Sequence, residues 1–156
     1  MARMPPLETV FSFGTFIAAF GWILLVVLPA DPRAKLLTGI IIPLTLSLIY
    51  LVYIYLHFAD APGGFGSLAD VKTLFGKDEL LLAGWVHYLA FDLFIGAWES
   101  RDSQELGFPR LVMIPCYVMT FMLGPVGLLF YFAIRTAKTK SLSLSRRSES
   151  GGGEAA

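Results

Sequence analysis

His87 and Asp92 stand in the middle of an unbroken apolar run, Leu80 to Trp98. A run of that length is about what a bilayer crossing needs, roughly 20 residues. A lone carboxylate at the centre of such a helix costs at least about 2.5–3.5 kcal/mol. The chain therefore has to shelter Asp92 with a partner, a polar cavity or a proton. No lysine or arginine lies at its depth. A buried carboxyl without a cation is favoured in its neutral form, able to give up a proton. A histidine, with a reference pKa near ~6.5, can accept one. His87 and Asp92 thus supply the two halves of acid–base chemistry inside the membrane.

A helix advances about 100° per residue, so Tyr88, Asp92 and Glu99 fall within roughly 40° of one another. Gly96 shares that stripe. The run predicts a helix with one polar face turned into a bundle. His87 sits about 140° away by the same geometry, so it borders the same cavity only at a junction of three helices. Candidate neutral partners for Asp92 are Tyr88 on its own helix, Tyr117 or Thr120 in the apolar run 111–134, and Thr45 or Ser47 in the run 36–58. Glu99, beside Arg101 and Asp102, reads as a charge at the membrane interface and as a secondary candidate. His57 reads as a headgroup-level residue and, with Tyr117, is a further secondary candidate. Histidines and acids show no standard ligand spacing, so no metal is predicted. Neither a phosphate-binding loop nor a nucleophile elbow is present.

Composition defines the setting. The 156 residues are 56% hydrophobic and only 15% charged, with zero formal net charge. Mean hydropathy is +0.68. Soluble domains carry roughly 25% charged residues. The expectation is an integral membrane protein of the all-α class: a four-helix bundle in one domain, residues 1–135. Spans are predicted at about 9–29, 36–58, 80–99 and 111–134. The first is too long for a signal-peptide core and has Glu8 beside it, so it reads as a retained span; the lead before it does not resemble a transit peptide. Pro29 and Pro32 end it, and Pro43 predicts a kink in the second. Tyr50, Tyr53 and Tyr55 predict an interfacial belt.

Between spans 2 and 3, Ser67 and Asp70 have the spacing of a capping box. Leu68, Val71, Leu74 and Phe75 follow at amphipathic spacing, which predicts a short surface helix. Residues 136–156 are Ser-, Gly- and base-rich and read as a disordered cytoplasmic tail. The single Cys116 excludes an intrachain disulfide. With no basic patch interleaved with aromatics, nucleic acid is not an expected partner. The expected partners are the lipid bilayer and a lipid-soluble substrate, with homo-oligomerisation left open. Four spans would place both termini on one side, with Arg3, Lys72, Lys77, Arg135, Lys138, Lys140, Arg146 and Arg147. Arg33, Lys35, Arg101 and Arg110 would lie opposite, so the basic majority predicts cytoplasmic termini.

Trp85-Val86-His87, Asp92-Leu93-Phe94, Pro115-Cys116 and Gly124-Pro125-Val126-Gly127 together resemble the ABA4-like membrane proteins. The resemblance runs from the first span to about residue 135. It implies a four-span protein of carotenoid chemistry. The plant reaction turns violaxanthin into neoxanthin, an isomerisation in which an epoxide opens while a carbon-bound proton leaves. That chemistry needs an acid and a base and no cofactor. The resemblance assigns these roles to His87 and Asp92, and lays Trp85, Tyr88, Phe91 and Trp98 along a polyene. In the plant-type pattern a basic residue stands where this chain has Ala97. Lacking a plastid transit peptide, the chain reads as a bacterial inner-membrane member. The expected function is a membrane-embedded isomerase acting on a carotenoid, xanthophyll or related isoprenoid lipid. The alternatives are a non-catalytic carotenoid-binding or assembly subunit and a small proton-coupled carrier.

Overall fold

Two prolines and an aspartate set the first corner of the molecule. In the computed structural model, which describes residues 5–142, helix α1 (Leu7–Val27) ends just before Pro29. Asp31 then caps the next helix, its Oδ1 accepting from the backbone N–H groups of Arg33 and Ala34 at 2.9 Å. Pro32 takes the first helical position, where a missing N–H is harmless. Helix α2 (Pro32–His57) therefore starts four residues earlier than its apolar run suggests. Its turn Leu37–Ile41 widens into a π turn just ahead of Pro43. The proline ring removes one backbone donor and crowds the carbonyl four residues back, and the wider turn relieves both.

The capping box forms as read. Ser67 Oγ accepts from the Asp70 N–H at 3.1 Å and donates to Asp70 Oδ2 at 2.7 Å, opening helix α3 (Leu68–Leu74). Leu74 is buried and Phe75 packs over Gly84, whereas Leu68 points outward. Helix α4 (Asp78–Glu105) is the central element, about 42 Å long at 1.5 Å per residue. It runs through the charged stretch that follows Trp98. The polar groups there find partners: Ser103 bonds the Ser100 carbonyl and Gln104 bonds the Pro29 carbonyl. Ala18, Leu46, Val86 and Leu93 form the innermost core where α1, α2 and α4 meet.

The fourth predicted span is not one helix. Helix α5 (Arg110–Leu123) stops at Gly124, whose φ of +47° reverses the chain, and Pro125 opens helix α6 (Pro125–Thr139). The two limbs fold into a hairpin. At Gly127 any Cβ would overlap Thr120, so glycine is what lets the limbs touch. The Thr120 hydroxyl bonds Glu99, while the returning limb places Tyr131 and Arg135 on Asp102 and Lys138 on the Gly107 carbonyl. Pairing thus runs backwards along α4 on one limb and forwards on the other. Among the described residues, three helices are long and apolar enough to cross a membrane: α1, α2 and α4. The hairpin completes a bundle of four members, entering and leaving at the Glu105 end.

This folding-back puts the two ends of the described chain, Pro5 and Leu142, at opposite ends of the bundle and not on one side as expected; residues 1–4, with Arg3, lie outside the described residues. Leu7, His57 and Lys77 mark one end of the bundle, where Lys77 Nζ donates to the His57 carbonyl at 3.2 Å. Thr139 lies at the other end with Pro29, Gln104 and Arg110. It also shortens the expected tail, since residues 136–139 are helical; residues 143–156 lie outside the described residues. The tyrosine cluster splits as well. Tyr55 is exposed, but Tyr53 is buried against α1 and α4 and is no belt residue.

Candidate functional site at the hairpin tip

The polar stripe of α4 faces the hairpin. Tyr88 donates its hydroxyl to the Phe121 carbonyl at 2.9 Å, next to the end of α5. That carbonyl belongs to the last turn of a helix, where backbone acceptors lack intrahelical partners. The Asp92 carboxyl lies against Gly124, with Tyr88 alongside it. Its Oδ2 is buried without a hydrogen-bond partner among the described residues. An unpaired buried carboxyl oxygen is costly and marks a place where a further polar group fits. The tip also brings the N-terminus of α6 to this depth, whose free N–H groups carry partial positive charge.

Seven residues on, Glu99 is fully buried and corrects the expectation of an interfacial charge. Its two oxygens share the Thr120 hydroxyl at 3.0 and 3.1 Å. Thr120 is therefore occupied by Glu99 and does not serve Asp92. Thr45 and Ser47 each donate to a carbonyl of their own helix, Ile41 and Pro43, and give no proton to Asp92. Tyr117 is buried beside Trp22 and turned toward Ser100 and Ser103. Gly96 does what a small residue on the stripe should: a Cβ there would overlap the Trp22 ring.

His87 is elsewhere. Its exposed ring packs between Tyr50 of α2 at 5.4 Å and Phe91 at 4.6 Å. Asp92 faces the hairpin on another side of the helix, so the junction that would have joined the two does not form. The reason is the 140° between them, which places one toward α2 and the other toward α5 and α6. The aromatic residues divide in the same way. Trp85 and Tyr88 lie 5.6 Å apart on the Asp92 side, with Trp85 stacked on Phe11 and donating to Thr15 Oγ1. Phe91 faces the α2 groove with Phe94. Trp98 packs against Tyr131 and Phe132 and holds the returning limb. His57 is at the far end of α2, against Tyr53.

Below the tip, toward Leu7 and Lys77, the hairpin does not reach. Phe11 and Trp85 remain partly exposed there, and the ring contacts Phe11–Trp85–Tyr88 make an aromatic face that leads toward Asp92. A family model described as ABA DEFICIENT 4-like matches residues 9–131. The chain belongs to the ABA4-like family. The match covers α1 through most of the hairpin and so contains the whole stripe from Trp85 to Glu99 and the Gly124–Gly127 turn. No curated protein and no solved structure matches the chain significantly. Sequence reasoning missed two groups in this ABA4-like fold. Gly124 was readable as a helix stop from the Gly-Pro pair, and Asp102 from its place three residues past Glu99 on the same face.

Proposed function

We propose that this ABA4-like protein is a cofactor-independent isomerase that acts within the membrane on a carotenoid or related isoprenoid lipid. Family membership supports a carotenoid-related membrane protein; the Asp92 carboxyl carries the catalytic reading. One observation supports it most: Oδ2 of Asp92 is buried and unpartnered at the hairpin tip, beside the Tyr88 hydroxyl and an aromatic face open to lipid. A carboxyl group has two oxygens, so one side chain can give a proton and take another. The neutral acid protonates a ligand oxygen as its C–O bond breaks. The same group takes a proton from carbon, and the C–H electrons become a new double bond. No electrons leave the substrate and the acid is restored. Tyr88, fixed by its bond to the Phe121 carbonyl, walls the site beside Asp92, and Trp85 with Phe11 packs the chain of conjugated carbons.

Replacing Asp92 by Asn tests this. Extracts of cells expressing the variant should lose the isoprenoid or pigment change that the parent protein brings about, with membrane insertion retained. An unchanged product profile would overturn the assignment.

A second reading is a carotenoid-binding subunit without catalysis. A groove of about 360 Å³ between α2 and α4 favours it, lined by Gly39, Pro43, Ala90, Phe91 and Phe94 and by neither Asp92 nor Glu99. In that case purified Asp92→Asn protein still carries pigment, and filling the groove by Ala90→Phe displaces it.

A further inference from the structure

We propose that the Pro32/Arg110 end of the bundle rests on the anionic phosphate headgroups of the cytoplasmic leaflet, leaving the Leu7/Lys77 end on the opposite face. Because the hairpin folds back, the basic residues of α6 join those of the other two corners at one end. Arg33, Lys35, Arg101, Arg110, Lys138 and Lys140 all lie there, together with Arg135, which is paired with Asp102. That end also holds Asp31, Asp102 and Glu105; among the described residues the other end holds only Lys72 and Lys77, against Glu8, Asp60, Asp70, Asp78 and Glu79. Short loops rich in lysine and arginine stay on the cytoplasmic side. Near an anionic surface each such residue contributes attraction that fades within a Debye length.

The basic groups are placed for this role. Arg33 and Arg101 are exposed, and Lys35 is partly so. Arg110 is fixed at the end of α1 by donating to the Val26 and Val27 carbonyls at 3.2 and 2.8 Å. Lys138 is steadied over the Phe108 ring at 4.3 Å. They ring the apolar bundle where headgroups would surround it. The aromatic face under the hairpin tip then opens to the leaflet away from the cytoplasm, so a lipid ligand reaches Asp92 from that side.

Single-cysteine variants decide it, with Cys116→Ala as the background. Ala69→Cys sits on exposed α3 and Ser141→Cys just past α6. In spheroplasts of a bacterial expression host, a membrane-impermeant maleimide should label the first in intact cells and the second only after permeabilisation. Labelling of both from one side would overturn the opposite-end placement; the reverse pattern, or equal labelling from both sides, would overturn the orientation. Replacing Arg33, Lys35, Arg101 and Lys140 by Gln should abolish one-sided labelling. So should the gentler change of adding lysines at Asp60 and Pro62. Unchanged labelling in both would show that charge does not orient the chain. In reconstituted vesicles, tryptic cleavage after Lys140 should fall severalfold when phosphatidylglycerol is added to phosphatidylcholine. Equal cleavage in both vesicles, or the same protection by free glycerol phosphate, would overturn the lipid contact. None of these readouts depends on catalysis by Asp92.

Discussion

The Asp92 carboxyl is packed against the backbone of Gly124, so that a Cβ at Gly124 would come within 2.9 Å of Oδ1 and 3.3 Å of Oδ2. The contact joins a half-buried acid on the central helix to the residue that turns the hairpin. Gly124 holds φ +47° and ψ −98°, a backbone state that other residues adopt only under strain.

Gly124→Ala therefore combines backbone strain with a clash at the acid. The expected loss is about 1–3 kcal/mol of stability. Activity should fall by more than the lost folded fraction, because the carboxyl is displaced as well. Thermal unfolding in detergent alongside product formation per folded molecule checks both parts. A variant with parental stability and turnover would show that the turn does not position Asp92.

The returning limb is held by Arg135, which donates through Nε to Asp102 Oδ2 at 2.7 Å, with Tyr131 on the same oxygen. Both partners of the ion pair are nearly buried. Removing one leaves the other charged and stranded, at about 3–5 kcal/mol. Asp102→Leu should thus lower the melting temperature strongly. The double variant Asp102→Leu with Arg135→Met should recover part of the loss, since an apolar pair replaces the ions, and adding Tyr131→Phe should recover more by removing the hydroxyl that Asp102 accepted from. A double-mutant cycle on melting temperature reads this directly; additive losses would count against the pair.

Much of the chain was legible because bilayer physics restricts the options. Apolar length located α1, α2 and α4, and the Ser67–Asp70 spacing located α3. The wheel angle correctly gathered Tyr88, Asp92, Gly96 and Glu99 on the face turned toward α1 and the hairpin. Hydropathy could not reveal that Leu111–Ile134 folds back on itself. Both limbs are apolar, and window averages are blind to direction. The information lay in Gly124-Pro125 and Gly127, read as a motif and not as a turn. Glu99 was misplaced for a related reason: its neighbours Arg101 and Asp102 suggested an interface, but α4 extends two further turns and carries it inside.

Glu99 depends on a single hydroxyl. Thr120→Val removes the one donor that a fully buried carboxyl has among the described residues, and the lost bond plus the unsatisfied group costs about 1–3 kcal/mol. Glu99→Gln keeps a partner for Thr120 and should be milder. Glu99→Leu combined with Thr120→Val removes both polar groups and should be more stable than Thr120→Val alone. Chemical denaturation of the three variants in mild detergent orders them. The reverse order would mean that Glu99 has another partner.

His87 supplies the sharpest contrast with Asp92. Its ring stacks on Phe91 and packs on Tyr50 at the α2 side, whereas Asp92 lies against Gly124 of the hairpin. An apolar ring of similar size should fill the same place, so His87→Phe is expected to keep turnover within a few-fold of the parent. Stability should change by less than about 1.5 kcal/mol, as for other shape-conserving replacements. If Asp92 performs both proton transfers, product formation survives His87→Phe and vanishes in Asp92→Asn. If the two variants lose activity equally, while both remain folded in the membrane, the base is the histidine and the helix must rotate or a second copy must bring the two groups together.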